Sequence, residues 1–153
     1  MKIGWLEELG ELFKKNPAKN WQEIYHLVIF PMYKEGLEVV RSSFLALINS
    51  KYPKEKMIVV LAQEERAGNT AETVAKFISE EFGDIFYRFL VTRHPERVEG
   101  EIAGKGSNES WAGREVKEKI IDQAKIPYEN IIVSCFDIDT QVFPQYFACL
   151  AYH

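Results

Sequence analysis

Met57-Ile58-Val59-Val60-Leu61-Ala62 is an unbroken apolar run leading into Gln63-Glu64-Glu65-Arg66, and the architecture turns on it. A run this short, with no polar alternation, is the pattern of a strand buried on both faces in a parallel sheet. Downstream, Thr70 to Phe82 has helical spacing and stops at Gly83, a residue suited to a helix C-terminus. Ile85 to Val91 then reads as another strand. Upstream, Leu27 to Phe30 is an apolar run closed by Pro31, which has no ladder donor. Leu37 to Ile48 follows, with Leu37, Val40, Phe44, Leu47 and Ile48 on one side of a helix. Glu109 to Gln123 reads as helix and Ile131 to Phe136 as a fourth, β-branched strand. Alternation of this kind predicts an α/β fold with a mostly parallel sheet and helices on both faces.

The 153 residues, 46% hydrophobic and 27% charged, suit a single globular domain able to form its core without metal or disulfide staples. The net charge of −4, with no long basic run, argues against a dedicated nucleic-acid binder. Cys135 and Cys149 lie in apolar surroundings without metal-ligand spacing, so buried reduced thiols and a cytoplasmic setting are expected. His26, His94 and His153 share no metal-ligand spacing either and read as structural or solvated. No apolar stretch approaches the roughly 18–20 residues of a spanning helix.

Residues 1–24 read as an N-terminal helical extension, in which Trp5, Leu6, Leu9, Leu12 and Phe13 form a stripe that stops before Asn16-Pro17. Glutamates on its polar side favour docking on the domain over lying on an anionic bilayer. Residues 25–153 form the body. Gln145 to Tyr152 looks like the opening of an apolar helix with no stop signal after it, so the chain reads as the N-terminal part of a longer protein.

Three segments at strand ends can carry chemistry. Asp137-Ile138-Asp139 follows the fourth strand, and carboxylates two apart in extended chain project to the same side, where they suit Mg²⁺ or Mn²⁺ shared with phosphate oxygens. The plainer alternative is a pair of turn aspartates bonding local amides. Pro31-Met32-Tyr33-Lys34-Glu35-Gly36 follows the first strand; Tyr33 offers a face for a base, and Glu35 can accept from a base or ribose donor. Read blandly, it is a strand-to-helix turn. In Gly104-Lys105-Gly106-Ser107-Asn108 the glycines allow close approach to a ligand and Lys105 can sit beside phosphate, although a flexible turn is the commoner outcome. It is not a Walker A loop. Glu64 and Glu65, ending the second strand, can reach the same rim or lie in a solvated loop.

Read in order, HLVIFPMYKEG, MIVVLAQEE, GEIAGKGSNESWAG and IIVSCFDIDT resemble the nucleotide-sugar-binding half of family 2 glycosyltransferases, which have the GT-A fold. The resemblance runs roughly from His26 to Phe147. It implies that the first and fourth strands are neighbours and that a crevice opens where their crossovers diverge. It implies binding of a nucleotide-diphosphate sugar by Pro31, Tyr33, Glu35, Glu64 or Glu65, Lys105 and Asp137. The metal ligands implied are Asp137 and Asp139, with Asp139 the first choice. The reaction implied is inverting transfer to the hydroxyl of a glycan or lipid acceptor, as in enzymes that build polysaccharides or glycolipids.

Ala62-Gln63-Glu64-Glu65 departs from the family's Asp-Asp-Gly-Ser-like turn, leaving the base-contacting acid open between Glu64 and Glu65. Asn108 comes early, with Ser110 at the place the family gives to Asn. No acceptor-side half with its catalytic carboxylate is found, so the general base is expected beyond His153. Attachment to the cytoplasmic face of a membrane is expected only through such a further part. The rival expectations are a non-catalytic nucleotide-binding or interaction domain, and a nucleotidyltransferase. The latter is disfavoured because no Gly-rich basic loop follows the first strand.

Overall fold

The computed structural model describes residues 4–17 and 20–153; residues 1–3, 18 and 19 of the expected N-terminal extension lie outside the described residues. Four strands form one parallel sheet: β1 (Tyr25–Met32), β2 (Met57–Glu64), β3 (Arg88–His94) and β4 (Ile131–Cys135), in the order β3-β2-β1-β4. The helices are α1 (Trp5–Lys15), α2 (Leu37–Ile48), α3 (Asn69–Phe82), α4 (Lys105–Val116), the short α5 (Asp122–Ala124) and α6 (Tyr146–Tyr152); a π-helical stretch, Lys117–Ile121, joins α4 to α5. This is an α/β, Rossmann-like layering.

The all-apolar run that opens the sequence reading is buried along its whole length. Alternate β2 residues Met57, Val59 and Leu61 face a large core with Phe44, Leu47, Ile78 and Phe82, while Ile58, Val60 and Ala62 face a smaller one with Ala112, Val116 and Ile121. The larger core is aromatic at its centre: Phe44 meets Phe30, Phe82, Phe86 and Phe89 at centroid distances of 5.5 to 6.3 Å. Helix α1 docks on the body, where Leu9 is fully buried and Trp5 meets Tyr152 at 5.2 Å.

Several boundaries differ from the sequence reading. Pro31 does not close β1; it lies within the strand, in register with Ala62. β4 leaves the ladder after Cys135, with Phe136 N–H bonded to Ile29 O, so the N–H that Pro31 lacks would face the side β4 has vacated. The third strand is Arg88–His94 rather than Ile85–Val91. Ile85 N–H closes a turn on Phe82 O, Phe86 plugs the core, and the strand then follows β2 until His94 pairs with Glu64. Helix α4 starts at Lys105, four residues early, because Gly104 N–H bonds Ser107 Oγ and Gly104 O accepts from Asn108 N–H. Nor are the cysteines both buried: each is free, Cys135 is exposed and Cys149 half-buried. Helix α4 packs on β1, β2 and β3. The same face of β4, with Val133 and Cys135, is left open.

Candidate functional site

Chain direction around the sheet sets the site. From β1 the chain moves through α2 to β2 and through α3 to β3, then returns through α4 on the opposite face to β4, on the other side of β1. The crossovers leaving β1 and reaching β4 therefore diverge, and a crevice opens beyond the carboxyl ends of those strands. A cavity of about 470 Å³ lies there, lined by Pro31, Met32, Tyr33, Glu35, Val39, Glu64, Lys105, Asn108 and Asp137 to Asp139. The turn after β1 and the two aspartates after β4, more than 100 residues apart in sequence, share it.

Each wall has a local cause. The turn after β1 is held by Glu35, whose Oε2 accepts from Tyr33 N–H at 2.7 Å, so one carboxylate oxygen of Glu35 is committed to the backbone. Tyr33 is half-buried, with the Arg66 guanidinium 4.9 Å and the Lys34 ammonium 5.0 Å from its ring centroid. The ring expected to stack on a base thus lies against two cations. After β4, Asp137 O accepts from Thr140 N–H in a tight turn, and Ile138 is anchored below by Ser43 Oγ donating to its carbonyl at 2.5 Å. Both aspartate side chains are thereby left exposed at the cavity mouth.

Lys105 pairs with Asp137, and that carboxylate holds the ammonium above its usual pKa. Lys105 also lies 3.8 Å from Glu109. The loop, the lysine and the first aspartate are thus one electrostatic unit. Glu64 and Glu65 separate cleanly. Glu64 is buried in the cavity wall and paired with Arg66, which it keeps charged. Glu65 is turned away: its Oε2 accepts from Glu96 N–H at 3.0 Å and its Oε1 lies 3.4 Å from Arg93. It does not line the cavity.

In sequence Asn108 closes the Gly-Lys segment and comes early relative to the Asn of the family pattern, with no role of its own. It is fully buried inside α4 and donates from Nδ2 to Ala62 O at 2.7 Å, while its Oδ1 has no partner. Thr92 Oγ1 and Gln63 Oε1 nearby at the sheet end are also buried and unpartnered. Recognising Asn108 in advance required knowing that the Gly-Lys segment is helical.

His94, buried at the end of β3, bonds Glu101 Oε2 at 3.0 Å, and Glu101 Oε1 meets Arg114 at 3.1 Å. These contacts lower the Glu101 pKa and tie the β3–α4 connection to α4 outside the cavity. Among the described residues no group of three or more His, Cys, Asp or Glu side chains is arranged to hold a metal by itself. Asp137 and Asp139 offer hard oxygen donors from one turn, a set that suits a cation completing its shell on a phosphorylated ligand. Among the described residues no helix is long and apolar enough to cross a membrane. No protein-family model, no curated protein and no solved structure matches this chain.

Proposed function

We propose that the cavity is the donor site of a glycosyltransferase resembling family 2, built on a GT-A-like half-domain that binds a nucleotide-diphosphate sugar. The observation that carries this reading is the meeting of the Pro31-to-Glu35 segment with Asp137 and Asp139 in one cavity at the topological switch point, with Lys105 paired to Asp137. A nucleotide-diphosphate sugar has an aromatic base, a hydroxyl-bearing ribose and a dianionic diphosphate. The cavity is lined by Tyr33 and the buried Glu64, and by Lys105 with two aspartate carboxylates.

In the proposed reaction Lys105 and the aspartate turn fix the diphosphate, and the apolar wall of Met32 and Val39 excludes water from one side of the donor. Asp139 and Asp137 would hold Mn²⁺ or Mg²⁺, which supplies charge neutralisation to the departing nucleoside diphosphate. An acceptor hydroxyl, relieved of its proton by a carboxylate, forms the new bond to the anomeric carbon as the bond to the diphosphate oxygen breaks, with inversion. None of the cavity carboxylates is assigned as that base, and the acceptor is a glycan or a lipid.

Titration calorimetry of this chain with UDP, GDP and dTDP, each with and without Mn²⁺, tests the reading. Metal-dependent binding of a nucleoside diphosphate, weakened tenfold or more in Asp139→Ala, is the expected result. Failure of all three to bind under any condition removes the proposal. One observation favours a second reading, binding without transfer: the Lys105 ammonium already neutralises Asp137, as in a site that holds diphosphate without a cation. Equal affinity with and without Mn²⁺ selects it.

A further inference from the structure

We propose that the base end of this site is cut for guanine, with Asn108 accepting from the 2-amino group; this rests on the donor-site reading above and extends it to the identity of the donor base. Asn108 is 0% exposed, borders the cavity, and has its amide orientation set by chemistry. The group facing Ala62 O at 2.7 Å must be the NH₂, because a carbonyl only accepts. Oδ1 is therefore the free end, an acceptor with no partner. A buried acceptor left unpaired is costly, and a ligand N–H removes the cost.

Glu64 is the next residue after Ala62 on the same face of β2, roughly 7 Å further along the strand. It lines the same cavity and is paired with Arg66, which lies over Tyr33. The cavity wall thus offers two acceptors, Asn108 Oδ1 and the Glu64 carboxylate, while Arg66, paired with Glu64, stands outside the lining. Among the bases only guanine has two adjacent donors on its pairing edge, N1–H and N2–H₂. Uracil and thymine present a carbonyl oxygen where Asn108 needs a donor. Adenine and cytosine put an unprotonated ring nitrogen opposite the Glu64 carboxylate. The placement also fits the tail. β2 and β4 flank β1, so the strands that lead to Glu64 and Asp137 lie about 10 Å apart, on the scale of a nucleoside.

The test is calorimetry of the full chain with Mn²⁺ and GDP, UDP, ADP, CDP or inosine diphosphate, which is GDP without the 2-amino group. Expected is tightest binding of GDP, with inosine diphosphate about tenfold weaker or more. In Asn108→Leu, with its fold checked by circular dichroism, the two purine nucleotides should bind within about twofold of each other. The wild-type comparison of GDP with inosine diphosphate needs no variant and decides the matter even where Asn108→Leu does not fold. Equal binding of those two, or preference for UDP, ADP or CDP, overturns the guanine assignment and leaves the donor site standing. Absence of binding by every nucleotide overturns both.

Discussion

His26 stands in the middle of the molecule with no hydrogen bond to either ring nitrogen, wedged edge-on between Tyr52 at 4.5 Å and Phe147 at 4.9 Å. Burial, opposed only by the nearby Phe147 backbone, pushes its pKa down from 6.5 to about 4. The unfolded chain takes up a proton there near pH 6.5 that the folded protein refuses until about pH 4. Stability therefore falls as pH drops through that window and is level with respect to this group above it, by about 3 kcal/mol at most. Urea denaturation at successive pH values should show this slope in the wild type and lose most of it in His26→Phe. An unchanged slope in the variant assigns it elsewhere. The sequence leaves His26 as structural or solvated, and its complete burial decides for the first. The choice between Glu64 and Glu65 was not readable, because both chain neighbours are acidic and only the strand's alternation, continued to its last residue, sends one into the cavity and the other to Arg93. Tyr33 was readable as a cavity residue, but the cations over its ring come from Lys34 and from Arg66 beyond a different strand.

Among the elements, α2 has the bounds its apolar spacing predicts, since Gly36 precedes it and its buried face, Val40, Phe44 and Leu47, follows one helical stripe. Phe44 is at the aromatic centre of the larger core, so Phe44→Ala should cost about 3–5 kcal/mol. Val133, 55% exposed on the open face of β4, should tolerate Val133→Thr within about 0.5 kcal/mol. Chemical denaturation of both variants checks the contrast, and similar losses in the two would contradict the layering. The elements misplaced from sequence are those whose ends depend on distant partners. β3 begins late because Tyr87 N–H is taken by Lys54 O, a contact between two connecting turns. α4 begins early because Ser107 caps its own first turn, so a glycine-rich segment that looks like loop is helix. The openness of β4, which exposes Cys135, follows from where α4 lies and has no signature in the residues of β4 itself.

At the scale of the whole molecule, the strand order is what makes a site out of scattered motifs. Each motif was visible alone at a strand end; their meeting depends on β4 joining β1 rather than β3, a pairing that local sequence does not encode and that entered the sequence reading only through the family resemblance. The same order puts Glu64, at the end of β2, and the aspartate turn after β4 on opposite sides of β1, two strand spacings apart. The most direct measurement is paramagnetic broadening of the backbone amide spectrum by substoichiometric Mn²⁺, with and without a nucleoside diphosphate. Loss of signal confined to residues 31–36, 104–108 and 137–140, deepened by the nucleotide and abolished in Asp139→Ala, is the expected result. Broadening centred elsewhere, or none when nucleotide and Mn²⁺ are both present, contradicts a shared cation and diphosphate site.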